Sequence, residues 1–130
     1  MKIILDTNAY VAFKRGHDAV VDRVRNAHRV VFSTVVAGEL IFGFRHGSRL
    51  AENMEELARF LDNPYVETVP VTITTADRFG RVAAGLRRKG SPIPTNDIWI
   101  AAHAFETGAE LLSFDRHFER IDGLVWTRLK

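Results

Sequence analysis

The stretch KIILDTN, residues 2–8, places a carboxylate directly after a short apolar run. Ile3, Ile4 and Leu5 are β-prone, fully apolar neighbours, and a run of this length predicts a buried strand. Asp6 then stands where the strand ends. Burying an ionised carboxylate is costly unless something neutralises it, so Asp6 needs a reason to be there. An Asx-type cap of the following helix is one such reason, and a functional site is another.

Three further acids lie in the same kind of apolar context. They are Glu39 within VVAGELI (35–41), Asp97 before IWIAA (98–102) and Asp115 after LLSF (111–114). Each has an ordinary alternative: an ion pair of Glu39 with Arg45 or Arg49, a favourable helix macrodipole at Asp97, and a turn at Asp115. If the fold gathers all four acids, their charges repel strongly. Oxygen ligands then favour a hard divalent cation, Mg²⁺ or Mn²⁺.

Composition limits the possible classes of protein. The chain has 130 residues, 46% of them hydrophobic, which predicts one domain over residues 1–130. It has no Cys, which excludes a disulfide scaffold and thiolate metal sites. No apolar run approaches the roughly 18 residues of a membrane span, and an acid at position 6 argues against a signal peptide. A cytoplasmic enzyme or binding module is therefore expected.

Apolar and polar patterns alternate between strand-like and helix-like along the chain. We predict strands at 3–5, 29–33, 65–71, 110–114 and 124–127, with helices after Thr7 or Asn8, over 18–27, from Thr34, over 50–61, from Thr74 or Thr75 to Lys89, and from Thr95 or Asn96 to Gly108. Such alternation indicates an α/β fold with a mostly parallel sheet that is covered on both faces. Sites in open α/β sheets lie at the carboxyl ends of the strands, where all four acids are expected to meet.

The chain lacks the common motifs of nucleophilic and nucleotide-dependent catalysis. No G-x-S-x-G, P-loop, G-x-G-x-x-G or H-E-x-x-H pattern occurs. The five His residues show no metal-ligand spacing. This leaves acid-based chemistry as the main candidate.

Four blocks of the sequence, taken together, resemble one known family. The four blocks are IILDTN (3–8), STVVAGEL with the nearby Phe42-Gly43 (33–43), NDIWIAAHA (96–104) and LLSFDRHF (111–118). In order and spacing the chain resembles the PIN-domain ribonucleases of the VapC toxin type, over essentially its whole length. Two positions depart from the family: Ser113 stands where Thr is usual, with its hydroxyl retained, and Phe114 stands where smaller or more polar residues are common.

The resemblance implies a PIN-like three-layer α/β/α sandwich with Mg²⁺- or Mn²⁺-dependent endoribonuclease activity. It implies that Asp6, Glu39, Asp97 and Asp115 bind the metal and catalyse, with Thr7 or Asn8 and Ser113 as polar supports. It also implies an antitoxin partner of VapB type, whose amphipathic segment would cover apolar surface near the first helices, and a homodimer.

An acidic pocket repels RNA, so basic residues must surround it. The net charge is +2 and the pI about 9.3. The candidates for binding the RNA backbone are Arg45, Arg49, Arg87, Arg88, Lys89 and Arg116. The basic run at 85–90 is equally expected as a helix C-terminus that complements the macrodipole.

Two other functions remain open at this stage. One is an α/β phosphatase or phosphotransfer domain with Asp6 as nucleophile, although its motif requires an acid at Asn8 and only four Lys are available. The other is a non-catalytic RNA- or protein-binding module, against which the cost of buried unpaired carboxylates argues.

Overall fold

A computed structural model describes residues 1–130 and contains one five-stranded sheet. Its strand order is β3-β2-β1-β4-β5, and all four pairings are parallel. The strands are β1 (Lys2–Leu5), β2 (Arg29–Ser33), β3 (Val66–Val69), β4 (Glu110–Ser113) and β5 (Trp126–Arg128). The predicted parallel sheet is thus confirmed.

Six α-helices connect these strands. They are α1 (Thr7–Lys14), α2 (Asp18–Asn26), α3 (Thr34–His46), α4 (Leu50–Leu61), α5 (Ile73–Lys89) and α6 (Thr95–Thr107), and a 3₁₀ helix, Arg116–Arg120, follows β4. Strands β2 and β3 are added in turn on one side of β1, and the chain then crosses back to place β4 on the other side of β1. Because such crossovers are right-handed, α1–α4 cover one face and α5–α6 the other, which gives the α/β/α sandwich. None of these helices has the length and apolar character that crossing a membrane requires.

Side chains of β2 show how alternate residues reach the two layers. Phe32 packs edge-on against Tyr10 of α1 and Phe60 of α4, with ring centroids 5.8 and 5.7 Å apart. Its neighbour Ser33 points the opposite way, because successive strand residues face opposite sides. The Ser33 hydroxyl lies 2.8 Å from Nδ1 of the buried His103 of α6. One strand therefore anchors both helical layers.

The helix caps confirm one sequence prediction and correct several others. Asp6 caps α1 by accepting from the Ala9 N–H, and Ser33 caps α3 by accepting from the Val35 N–H. Pro94 precedes α6 without any side-chain cap. The Asx-type cap by Asp6 is confirmed. Thr7, Thr34 and Thr95 are instead the first residues of their helices, and Asn8 and Asn96 lie inside them, so the predictions of caps at these five residues are wrong. At β1 and β2 the strand runs directly into its helix, so the extended residue between them has the backbone conformation that an N-cap requires.

Several other elements differ from the prediction, and β5 covers Trp126–Arg128 rather than 124–127. Helix α5 begins at Ile73, earlier than predicted, because Thr72 and Thr75 form a reciprocal capping box. Strand β3 ends at Val69, since Pro70 has no N–H to donate to a neighbouring strand. The 3₁₀ helix after Asp115 was predicted only as a turn.

The sheet order creates a crevice at one edge. Strand β1 lies between β2 and β4, so the chain leaves it in one direction and returns on the other side. Ligands bind at such switch points, beyond the carboxyl ends of the strands. In the β1–β4 register Leu5 pairs with Leu112, and the next pair along would be Asp6 and Ser113. The topology therefore places these two polar residues side by side.

At the opposite edge, Arg23 of α2 forms an ion pair with Glu110 at the start of β4. The Arg23 Nη2 to Glu110 Oε1 distance is 2.6 Å, and Thr127 donates to the other carboxylate oxygen. Burial alone would raise the pKa of Glu110, but the bonds from Arg23 and Thr127 outweigh it and lower the pKa. The charged carboxylate thus stabilises the fold at neutral pH, and this stability is lost as the pH falls through the lowered pKa.

We predict that Arg23→Gln lowers the free energy of unfolding at pH 7 by about 1–2 kcal/mol. The difference from wild type should shrink at an acidic pH below the lowered pKa of Glu110, where this carboxyl is protonated in both proteins. Urea denaturation at the two pH values measures it. A loss that is equal at both would show that the ion pair does not cause it.

Candidate metal centre

Asp6 forms the floor of the site and is only 6% exposed. Its Oδ1 accepts from the Ala9 N–H at 2.9 Å, and its Oδ2 accepts from the Ser113 hydroxyl. One carboxylate therefore caps α1 and also joins the end of β1 to the end of β4.

Ser113 extends this link to Asp115. The Ser113 Oγ accepts from the Asp115 N–H at 2.9 Å, while its own hydroxyl donates to Asp6. The Asp115 side chain caps the 3₁₀ helix by accepting from the His117 N–H at 2.9 Å. Two of the four acids are thus positioned by one buried hydroxyl group.

Asp97 in the first turn of α6 approaches Asp115 through an imidazole ring. The His117 Nδ1 lies 3.2 Å from Asp97 Oδ2 and 3.0 Å from Asp115 Oδ1. Ligand atoms of these three residues all lie within 4.8 Å of one another, which is close enough to hold one metal ion. The side chains are 18%, 35% and 35% exposed for Asp97, Asp115 and His117, so solvent and ions reach them.

Glu39 of α3 lies outside that group of three but is near enough to raise the pKa of Asp97. Thr7 Oγ1 donates to its Oε1 at 2.7 Å, and Asn96 Nδ2 donates to its Oε2 at 3.4 Å. The suggested ion pair of Glu39 with Arg45 or Arg49 is not formed; Arg49 binds Glu52 instead. An open cleft of about 650 Å³ lies over Glu39, lined also by Thr7, Asn96 and the exposed Phe42.

The predicted polar supports are only partly in contact with the acids. Thr7 and Ser113 each bind one acid directly. Asn8 is exposed and makes no side-chain hydrogen bond to any of the four; it faces a separate depression shared with His17 and Phe114. Asn96 instead supplies the second donor to Glu39.

The electrostatics of the cluster follow from burial and like charge. Burial raises the pKa of Asp6 from 3.8 to about 6, the Ser113 and Ala9 bonds oppose this rise, and the Asp97 and Asp115 carboxylates add to it. Burial also raises the pKa of Asp97, against the bond to His117, and Asp115 and Glu39 raise it further. The four acids therefore act on one another, and the cluster resists carrying its full charge.

The donors in this cluster suit a hard cation. Carboxylate oxygens dominate, with hydroxyl and amide groups that orient them, and no thiolate is present. Oxygen-rich sites of this kind select Mg²⁺ or Mn²⁺ over softer metals. Fold and cluster together define an α/β protein with an acidic cluster, suited to a divalent cation, at the sheet's topological switch point.

Comparison with known proteins gives the family. The PIN domain family matches residues 3–124, nearly the whole chain. The chain belongs to the PIN-domain family, and its relatives within that family are VapC ribonucleases. Ribonuclease VapC1 of Haemophilus influenzae is 31% identical over 97% of this chain and 96% of the relative. The tRNA(fMet)-specific endonuclease VapC of Salmonella typhimurium is 29% identical, with 95% of each chain covered.

Solved structures agree with this assignment. VapBC2 from Rickettsia felis, bound to a DNA fragment from its promoter, matches with a TM-score of 0.88 at 25% identity over all of both chains. DNA-bound VapBC from Salmonella typhimurium matches with a TM-score of 0.86 at 28% identity over 98% of both chains. The PIN-like fold predicted from the sequence is confirmed.

Two residues of the centre were missed by sequence reasoning. His117 was set aside because no two His residues are spaced as ligands, yet its partners are acids. The signal was the spacing Asp115-x-His117 directly after a strand, where a short turn brings the ring back over the carboxylate. Asn96 was considered only as a helix cap, although it directly precedes Asp97.

We predict that millimolar Mg²⁺ or Mn²⁺ raises the melting temperature of the wild-type protein by several degrees, because an ion that binds only the folded state stabilises it.

Asp6→Asn removes a buried charge whose raised pKa makes it destabilising at pH 7. The metal-free variant should therefore melt at or above the wild-type temperature and respond less to the ion. Calorimetry measures both effects.

Glu67→Gln is the matched control, since Glu67 is an exposed acid on β3 outside the cluster. It should keep the full response to the ion. A wild-type protein with no shift in either salt would contradict a preformed cation site.

Proposed function

We propose that this protein is a divalent-metal-dependent endoribonuclease, formed by a single PIN-like domain over residues 1–130, and the toxin of a toxin–antitoxin pair. The observation that carries the proposal is the convergence of four acids at the switch point of a fold shared with VapC ribonucleases. We propose that the ion is Mg²⁺ or Mn²⁺ and that the enzyme acts on RNA in the cytoplasm.

Within the centre we assign the closest ligand positions to Asp6 and Asp97. Both lie at the fixed starts of helices, and both have pKa values raised by burial and by their neighbours, so both gain most from a nearby positive charge. Glu39 and Asp115 would bind through water or act as general base. A bound divalent cation lowers the pKa of water and offsets negative charge on the phosphoryl oxygens.

The chain's own residues orient these groups and exclude a side-chain nucleophile. The Ser113 hydroxyl is fully buried and held between Asp6 and the Asp115 N–H, so it cannot reach a phosphodiester. The Thr7 hydroxyl donates to Glu39. Both hydroxyls keep a carboxylate in one rotamer, which leaves water as the attacking group and matches the absence of nucleophile motifs.

RNA would enter through the cleft above Glu39. Phe42, 68% exposed, lies on its wall and offers an aromatic face for a base. Arg116 is exposed directly after Asp115, and Arg45 is exposed in the last turn of α3. Arg49 is the weakest of the proposed backbone contacts, because it is already paired with Glu52.

The antitoxin partner is proposed from the relatives and from one apolar surface. Solved relatives are VapBC complexes. In this chain an open depression near the first helices is lined by Phe13, Val21, Val24, Ala27 and the exposed Tyr65. An amphipathic helix could bury its apolar face there. A homodimer is proposed on the resemblance alone.

The phosphatase alternative loses support in the structure. Its chemistry needs a Lys beside the acids, but Lys2 donates to the Thr107 carbonyl and Lys89 to Asp122, both away from the cluster. Lys14 is exposed at the end of α1, and Lys130 is the exposed last residue of the chain, beyond β5.

We predict that Asp97→Asn lowers RNA cleavage by more than about 100-fold while the fold is retained, because a ligand of the ion is lost. Chelation of the wild-type protein with EDTA should stop cleavage, and Mg²⁺ or Mn²⁺ should restore it. Cleavage of total RNA followed by sequencing of the new ends measures activity and also identifies the target.

Glu67→Gln should cleave like wild type, and circular dichroism checks the fold of both variants. Full activity of Asp97→Asn, or wild-type activity that persists in EDTA, would refute the proposed chemistry.

A further inference from the structure

A basic groove lies outside the acidic centre, along one side of α5. We call it the α5 groove; five cationic side chains line it, namely Arg78, Arg81, Arg88, Lys89 and Arg120. Between them lies an apolar floor that includes Val82, Leu86 and the aromatic ring of Phe105. Its cavity volume is about 240 Å³. A cationic rim over an apolar floor is an unusual surface to leave exposed.

Most of the positive charge in the groove is uncompensated. The one acid that lines it, Asp122, binds Lys89 at 2.6 Å. Arg81 is paired with Asp77 in an exposed contact that contributes little. Arg78 and Arg88 form no ion pair or side-chain hydrogen bond. Two guanidinium groups are therefore free to bind an external anion.

Helix stability explains only part of this cluster. Arg87, Arg88 and Lys89 lie in the last turn of α5, where cations complement the macrodipole. That effect falls off within one turn, so it does not account for Arg78 and Arg81. It does not account for Arg120 either, which comes from the 3₁₀ helix. The convergence of two separate elements indicates a binding surface.

The groove is continuous with the acidic centre along the chain. Only the five residues Gly90–Pro94 separate the end of α5 from α6, whose first turn carries Asp97. Five residues span at most about 18 Å. Arg120 closes the 3₁₀ helix that begins after Asp115, and its guanidinium donates to the Pro92 carbonyl at 2.9 Å. We therefore infer that an RNA strand leaving the centre past this loop reaches the groove.

We propose that the α5 groove binds a segment of the RNA substrate beside the cut, with phosphates on Arg78 and Arg88 and a base over the floor at Phe105. The proposal rests on the endoribonuclease function proposed above. Guanidinium forks match phosphate oxygens, and bases stack on aromatic or apolar surfaces. The cavity is smaller than the roughly 300–1,000 Å³ of small-molecule pockets, which suits one base of a longer strand.

Charge removal tests the rim. The double variant Arg78→Gln/Arg88→Gln should bind a labelled single-stranded RNA of about 12 nucleotides on the order of tenfold more weakly. The slope of log affinity against log salt concentration should be smaller in magnitude by about 1.4, because two phosphate contacts are lost. Fluorescence anisotropy in EDTA measures binding without cleavage. The control Arg25→Gln/Arg59→Gln removes the same charge from α2 and α4, on the opposite face of the sheet, and should retain wild-type affinity.

Filling the groove tests its shape without changing charge. Gly85 lines the groove, and a Cβ there would meet only the Arg88 guanidinium, at 3.8 Å. Gly85→Leu should therefore fill the floor, favour helix α5 and still weaken RNA binding. Ala58→Leu is the control, because Ala58 is an exposed residue of α4 in the other helical layer, away from the groove. It should bind RNA like wild type.

Three results would overturn the proposal. The first is an equal loss of RNA affinity in both charge variants, and the second is wild-type RNA binding by Gly85→Leu. The third is displacement of the RNA by a decaglutamate peptide as readily as by unlabelled RNA, which would indicate an acidic protein ligand. Wild-type cleavage with Mn²⁺ is assayed in parallel. Cleavage without groove-dependent binding refutes the groove alone. Groove-dependent binding without cleavage refutes the enzymatic function alone.

Discussion

Burial of carboxylates beside one another is the constraint that organises this site: burial raises the pKa of Asp6 and of Asp97, and the nearby carboxylates raise it further. The parallel register holds the ends of β1 and β4 side by side, so Asp6 and Asp115 cannot separate without breaking the sheet. The surrounding donors are mostly neutral groups: two hydroxyls, an amide and backbone N–H groups. These orient the carboxylates but do not cancel their charge, which leaves the cluster in need of a cation.

The same carboxylates also build the local structure that positions them. Asp6 caps α1, and Asp115 caps the 3₁₀ helix, each at the point where a strand turns directly into a helix. For Asp6, the predicted cap is confirmed and the metal-binding role is our proposal: one oxygen serves the cap, and the other accepts from Ser113. This dual role explains why a strand that ends in Asp leads so directly to a site.

Much of the fold was predictable from the sequence, and the reason is local. Apolar runs such as 29–33 and 50–61 carry their own periodicity, and these two elements have the predicted bounds. The gathering of the acids followed from topology. The pairing of Arg49 with Glu52 is local, and sequence reasoning missed it. The contact of His117 with Asp97 was not predictable, because it depends on which side chains meet across elements far apart in sequence. The α5 groove is of this second kind, since Arg120 joins it only in the folded chain.

Anomalous diffraction from crystals soaked in Mn²⁺ tests the central claim most directly. A preformed acidic metal centre predicts a manganese peak between the carboxylates of Asp6, Asp97 and Asp115, at coordination distance from at least two of them, and no such peak in Asp97→Asn crystals. A wild-type crystal with no peak at this edge of the sheet, or with manganese bound only elsewhere, would contradict it.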